Sequence, residues 1–210
     1  MSNPDYELII KNDSQTNGYA MLFCEKPDTG SPDLLTYVWQ TKFLYSGVQA
    51  SLKWQIDWGF MWRQINSVNA SQQIVPANLE TSNKIQLAYD SEHQAFHFLE
   101  PTNGEQPGSI LISTEPTVPV NMAEVGLALA GNPAFLVKAL PNMNYIFTPK
   151  PAYWLVFGET NETGPVDIAS LTNAVAINFP VNIYSLTATI QKDGTITLEN
   201  TPLALEEQVE

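Results

Sequence analysis

Two histidines, one cysteine, five tryptophans and a surplus of carboxylates are the residues of this 210-residue chain whose chemistry matters first. His93 and His97 are four apart; on a strand they share a face but stand about 13 Å from each other, too far to hold one metal ion together. A helix would suit them, but the flanking Ala95, Phe96, Phe98 and Leu99 with nearby turns favour a strand. Glu92 and Glu100 add oxygens without ligand spacing, so no metal and no cofactor is expected. Cys24 closes the apolar run Tyr19–Cys24 and reads as a small buried hydrophobe rather than a reactive thiol. A serine nucleophile would need an elbow such as Gly-x-Ser-x-Gly, which is absent. Two carboxylates flanking a glycosidic bond would make a hydrolase. No spacing singles out such a pair, and 22 acidic residues also suit a solvated acidic surface. No catalytic residue is therefore assigned. Asn69-Ala70-Ser71 and Asn161-Glu162-Thr163 match glycosylation sequons but lack a secretory signal before them. Gly104 to Gly108 carries no lysine and opens no helix, so it is no phosphate cradle.

The aromatic residues are the more informative set. Leu52, Trp54, Ile56, Trp58, Phe60 and Trp62 occupy every even position of an eleven-residue run, with Lys53, Gln55, Asp57, Gly59 and Met61 between them. Alternate strand residues project to opposite faces, so this run predicts one long central strand with a wall of large apolar side chains. These tryptophans would serve a sugar platform or an apolar pocket, but their alternation with Leu52 and Ile56 favours the core between sheets. Asp57 and Gln55 on the other face read as solvated, with Lys53 or Arg63 as partners for the aspartate. Trp39 and the pair Tyr153-Trp154 have mixed neighbours and are the candidate ligand-binding aromatics.

The elements that must position them are strands. Tyr6–Lys11 and Tyr19–Cys24, separated by a polar stretch ending in Asn17-Gly18, predict a first hairpin. Leu35–Tyr45 reads as a third strand region, and residues 66–76 as a loop or weak edge strand. Lys84–Tyr89 and Ala95–Leu99 predict a hairpin around Asp90–Gln94. Ser109–Ser113 is expected to pair with Glu124–Leu129, and Gly131-Asn132-Pro133 to turn into Phe135–Ala139. Tyr145–Phe147, Tyr153–Phe157 and Ala174–Phe179 are further strands, 159–166 an acidic loop, and Ile168–Asn173 the best site for a helical turn. Ile183–Gln191 and Thr195–Glu199 flank Lys192-Asp193-Gly194, a closing hairpin.

Fifteen prolines punctuate these runs and amphipathic helical periodicity is nearly absent. The expected fold is all-β, an antiparallel β-sandwich of two packed sheets, jelly-roll-like, with few or no helices. Residues 1–210 read as a single domain with frayed residues 1–5 and an acidic tail at 203–210. A formal net charge of −13, from 9 Lys+Arg against 22 Asp+Glu, argues against nucleic acid and anionic membrane surfaces as partners. The N-terminus shows no basic and apolar signal segment, and no window is apolar enough to span a bilayer. The expectation is a cytoplasmic protein; export by a route that leaves no N-terminal mark stays open. Its partners are expected to be an unidentified ligand or protein, or further copies of itself in a homo-oligomer.

Several short pieces, taken in order, resemble the RhiA family, the quorum-regulated, rhizosphere-expressed protein of root-nodulating bacteria and its relatives. They begin with Asn12-Asp13-Ser14 and Gly18, Trp39 and Lys42, and Trp54-x-x-Asp57-x-x-Phe60-x-Trp62. Pro107-Gly108-Ser109, Pro141-Asn142-Met143-Asn144, Phe147-Thr148-Pro149, Tyr153-Trp154 and Phe157-Gly158 follow. Asp167-Ile168, Thr172-Asn173, Phe179-Pro180 and Ala188-Thr189 complete the series. The resemblance implies a bacterial protein produced at high cell density, with a role in host or plant-root interaction. It brings no catalytic residue, cofactor or ligand. The function expected is non-catalytic binding or interaction. A self-assembling structural or storage protein is the alternative, and a hydrolase using paired carboxylates the second.

Overall fold

The structure is a computed structural model and describes residues 4–65, 70–104, 106–159, 164–166, 171 and 173–201. Four of the six residues of the expected helical turn at Ile168–Asn173 lie outside the described residues, as do both sequon asparagines, residues 160–163 of the expected acidic loop and the tail at 203–210, while Pro165–Val166 at the end of that loop form a short strand.

Nineteen strands account for the regular structure of the described residues, and none of these residues is helical. The first seven are β1 (Tyr6–Asn12), β2 (Gly18–Cys24), β3 (Asp28–Thr29), β4 (Leu35–Tyr37), β5 (Gln40–Leu44), β6 (Gln49–Trp54) and β7 (Trp58–Gln64). Then come β8 (Gln72–Pro76), β9 (Lys84–Asp90), β10 (Ala95–Phe98), β11 (Ile110–Thr114), β12 (Ala123–Leu129) and β13 (Asn132–Lys138). The last six are β14 (Asn144–Thr148), β15 (Tyr153–Gly158), β16 (Pro165–Val166), β17 (Val175–Ile177), β18 (Ser185–Ile190) and β19 (Ile196–Asn200).

The fold is all-β and sandwich-like, but hydrogen bonding divides it into four sheets where two were expected. Their orders are β19-β18-β1-β6, β10-β9-β11-β14-β3, β16-β4-β13-β12-β7-β8 and β17-β15-β2-β5. Pairing is antiparallel except for β1 with β18 and β9 with β11. Residues from all four sheets meet in one apolar cluster that includes Ile10, Leu22, Trp54, Phe60, Ile85, Phe135, Leu155 and Leu186.

The run 52–62 is not one strand. It breaks at Gln55–Asp57, so that β6 pairs with β1 at a sheet edge, while β7 lies between β12 and β8 in another sheet. Strands that change sheets form the corners of sandwiches. The parity of the side chains survives the corner: Leu52, Trp54, Trp58, Phe60 and Trp62 are buried in the common core, and half-buried Ile56 packs against it. Leu35–Tyr45 breaks in the same way at Val38-Trp39 into β4 and β5 of different sheets.

The hairpins predicted at β9–β10 and β18–β19 are present, with Gln94 and Gly194 at positive φ in their turns. The β12–β13 hairpin turns at Ala130-Gly131, one step before the expected triplet. Two expected pairings are replaced. β11 pairs with β9 and β14 rather than β12. β1 pairs with β18 and β6 rather than β2, and neither Asn17 nor Gly18 has positive φ. Gly18 is needed for close approach instead, since a Cβ there would lie 2.7 Å from the Gly158 carbonyl oxygen. Buried Asn12 ties the crossing loop, its amide donating to the Thr16 carbonyl at 2.9 Å while its Oδ1 accepts from the Ser14 hydroxyl.

Candidate functional site

On β15 the side chains alternate: Tyr153 and Leu155 enter the core, and Trp154 and Val156 point to the outer face of their sheet. Tyr153 is 1% exposed and Trp39 3% exposed, so both rings lie within the core. Trp39 donates its indole N–H to the Leu129 carbonyl at 2.6 Å. Trp54 donates to the Tyr153 hydroxyl at 3.1 Å, and the Trp39 and Tyr153 rings stack at 5.8 Å. Burial pushes the Tyr153 phenol well above its ordinary pKa, and the Trp54 N–H offsets this only in part. These two rings are structural members of the core, behind the surface that carries Trp154.

Trp154 is half-buried. Its strand partners are Phe23 on β2 and Ala176 on β17, and Met21, Phe23 and Val156 form the small apolar cluster against which it packs. Glu25 continues the β2 ladder by donating its backbone N–H to the Ala152 carbonyl at 2.7 Å. Phe23 is the direct cross-strand partner of Trp154, so Glu25, two residues on, is its diagonal neighbour. The Glu25 carboxylate accepts the Trp154 indole N–H and so pins the ring. Beside them Lys150 and Asp28 pair at 2.6 Å, and the Asp28 carboxylate holds the Lys150 ammonium above its ordinary pKa.

Trp154 and Glu25 form one wall of a cleft of about 800 Å³. Leu34, Leu35, Val166, Leu171 and Ala174 supply the apolar remainder, and Lys26 and Thr36 are among its polar members. Val166 reaches it because β16 pairs with β4 at Thr36. A volume of this size accommodates a small organic molecule, and a few polar groups amid mostly apolar walls are the usual composition of such a site. Glu25 is the one carboxylate among the described lining residues, whereas Asp57 and Glu80 both border a separate cleft of about 670 Å³ beside Trp58. Of the sequence candidates, then, Trp154 alone lines the Trp154 cleft. Glu25, Leu35 and Leu171 were not singled out; their convergence arises between segments more than a hundred residues apart, and no local spacing signals it.

The histidines lie elsewhere. His93 sits in the β9–β10 turn and shares a hydrogen bond of 2.6 Å with Asp90, which holds that carboxyl below its ordinary pKa. His97 is exposed on β10. Among the described residues no three His, Cys, Asp or Glu side chains gather to hold a metal ion, and no helix is long and apolar enough to cross a membrane.

The RhiA family model matches residues 3–201. A curated relative, Protein RhiA of Rhizobium leguminosarum bv. viciae, is 23% identical over 201 residues, which cover 90% of this chain and 84% of the relative. No solved structure gives a significant match.

Proposed function

The chain belongs to the RhiA family, and we propose that it is a non-catalytic binding protein whose ligand occupies the Trp154 cleft. What carries this reading is the indole held by Glu25 in a largely apolar wall. A half-exposed tryptophan fixed in orientation presents a ready contact surface at little entropic cost on binding. The ligand is a small molecule with an apolar body. Production at high cell density and a role at the plant root are the setting that the family resemblance adds to the proposal.

Four of the five tryptophans, Trp39, Trp54, Trp58 and Trp62, are buried, so solvent-sensitive indole emission reports on Trp154. Titration with benzyl alcohol, 1-butanol and 1-hexanol is expected to change that emission saturably, and Trp154→Phe to abolish the change. Equal responses in both proteins, or none in either up to the solubility limit, would count against the site.

Self-association is the second reading, favoured by one observation. Phe43 and Tyr45 are exposed at the edge strand β5 and its end, and Tyr19, Phe43 and Tyr45 make successive edge-on contacts at 4.9 and 5.1 Å. An uncovered edge with apolar side chains invites pairing between chains. Light scattering that shows concentration-dependent growth without ligand, lost in Phe43→Lys, would favour it over the small-molecule site.

A further inference from the structure

Leu35 borders a second cleft as well, of about 660 Å³, whose wall includes Val137, Leu140, Met143, Tyr145 and Ile146. Leu35, Leu140, Met143 and Ile146 are each between 36% and 43% exposed. Large aliphatic side chains that share one concavity and remain open to water mark a place where something apolar is received. Among the described lining residues the one aromatic ring is Tyr145, which is buried and whose hydroxyl is engaged, accepting from the Leu140 N–H at 2.8 Å and donating to the Lys138 carbonyl at 3.0 Å. No flat platform is on offer there for a stacked ring. Leucine, isoleucine and methionine side chains instead match a flexible hydrocarbon chain. The first cleft differs, because its wall carries Trp154, Glu25 and Lys26.

We propose that the two clefts, meeting at Leu35, form one extended site for a linear amphiphile. Its hydrogen-bonding head lies by Trp154 and Glu25, and its aliphatic tail passes Leu35 into the concavity between Leu140 and Ile146. The proposal rests on the Trp154 reading and specifies the class of ligand: an unbranched alkyl or acyl chain on a compact, uncharged polar head. Glu25 with Asp28 and Lys26 with Lys150 leave the neighbourhood of the head without a dominant sign of charge.

A homologous series from 1-butanol through 1-hexanol and 1-octanol to 1-decanol, read by Trp154 emission, tests it. Affinity is expected to rise roughly fourfold per added methylene as the tail enters the second concavity. The double variant Leu140→Asn, Ile146→Asn is expected to bind 1-butanol as the wild type does and to lose the gain for the longer members. Met143→Gln should lose part of it. Both sets of positions are open to water, so the folded state is expected to persist, which an unchanged urea midpoint checks. A chain-length dependence that the variants leave intact, or one that stops at butanol in the wild type, overturns the extended site while the Trp154 site stands. Failure of every alcohol to alter Trp154 emission overturns the Trp154 reading itself. Dimerisation abolished by the double variant, with no chain-length dependence, would assign the concavity to a second copy and overturn the proposal.

Discussion

Cys24 has no exposed surface and no disulfide partner, and burial pushes its thiol far above the ordinary range, as it does the Tyr153 phenol. A folded state that keeps a proton where the unfolded chain has released it becomes less stable as pH rises. For the thiol the loss begins near pH 8.5, where an unfolded cysteine ionises, and for the phenol near pH 10. Each group is expected to cost about 1.4 kcal/mol of stability per pH unit above its threshold. Urea denaturation between pH 7 and 10.5 measures this, and Cys24→Ala should remove the portion that sets in near pH 8.5. Parallel wild-type and variant profiles would show that the thiol escapes its environment before the fold is lost. Half-buried Arg63 donates from Nε to buried Glu124 at 2.7 Å and from its terminal nitrogen to the Tyr37 hydroxyl at 2.6 Å. A carboxylate placed there needs that guanidinium, because an unpaired buried charge is costly.

Among the elements, the β7–β12–β13 ladder is the least tolerant of added volume. At Gly126 a Cβ would lie 1.9 Å from the Phe135 carbonyl oxygen and 2.9 Å from the Leu136 Cα, both backbone atoms that cannot step aside. Gly126→Ala is expected to destabilise by upward of about 3 kcal/mol, at or beyond the ordinary range for overpacking. Gly47, in the turn between β5 and β6, has a φ of 77° and no atom within 4 Å of a Cβ. Gly47→Ala meets only the left-handed backbone penalty, on the order of 1 kcal/mol. Urea midpoints of the two variants should therefore separate clearly, and equal losses would contradict the close packing of β12 on β13. The contrast also shows what local sequence reveals. The turn glycines Gly131 and Gly194 sit at signals readable from their neighbours, whereas the need for Gly18 comes from β15, which the chain reaches much later, and that for Gly126 from the close register of β12 on β13.

For the whole molecule, closure depends on its two ends. β1 pairs in parallel with β18, Glu7 opposite Ser185 through Asn12 opposite Ile190, and Tyr6 packs edge-on against Tyr184 at 5.5 Å. A pairing between such distant segments forms only after most of the chain is placed, which makes folding slow. Removing the residues after 182 strips β1 of this partner and takes Leu186, Ala188 and Ile190 out of the core. The truncated chain is expected to lose its cooperative urea transition. A truncated protein that still unfolds cooperatively would mean that the remaining sheets close without β18.

The local pattern of side chains determined that this is an all-β protein and that Trp54, Trp58, Phe60 and Trp62 face a core, because burial on a strand repeats every second residue whatever lies opposite. It likewise determined the β9–β10 and β18–β19 hairpins, whose turns are built from adjacent residues. Sheet membership escaped it: parity is the same on both sides of the Gln55–Asp57 corner, so nothing local distinguishes one long strand from two. The tertiary structure alone decided which of Tyr153 and Trp154 faces water, since alternation separates the pair but only the register of β15 on β2 chooses the inward one. It alone brought Glu25, Leu35 and Leu171 around that indole, because proximity between distant segments is a property of the packed chain and not of any stretch within it.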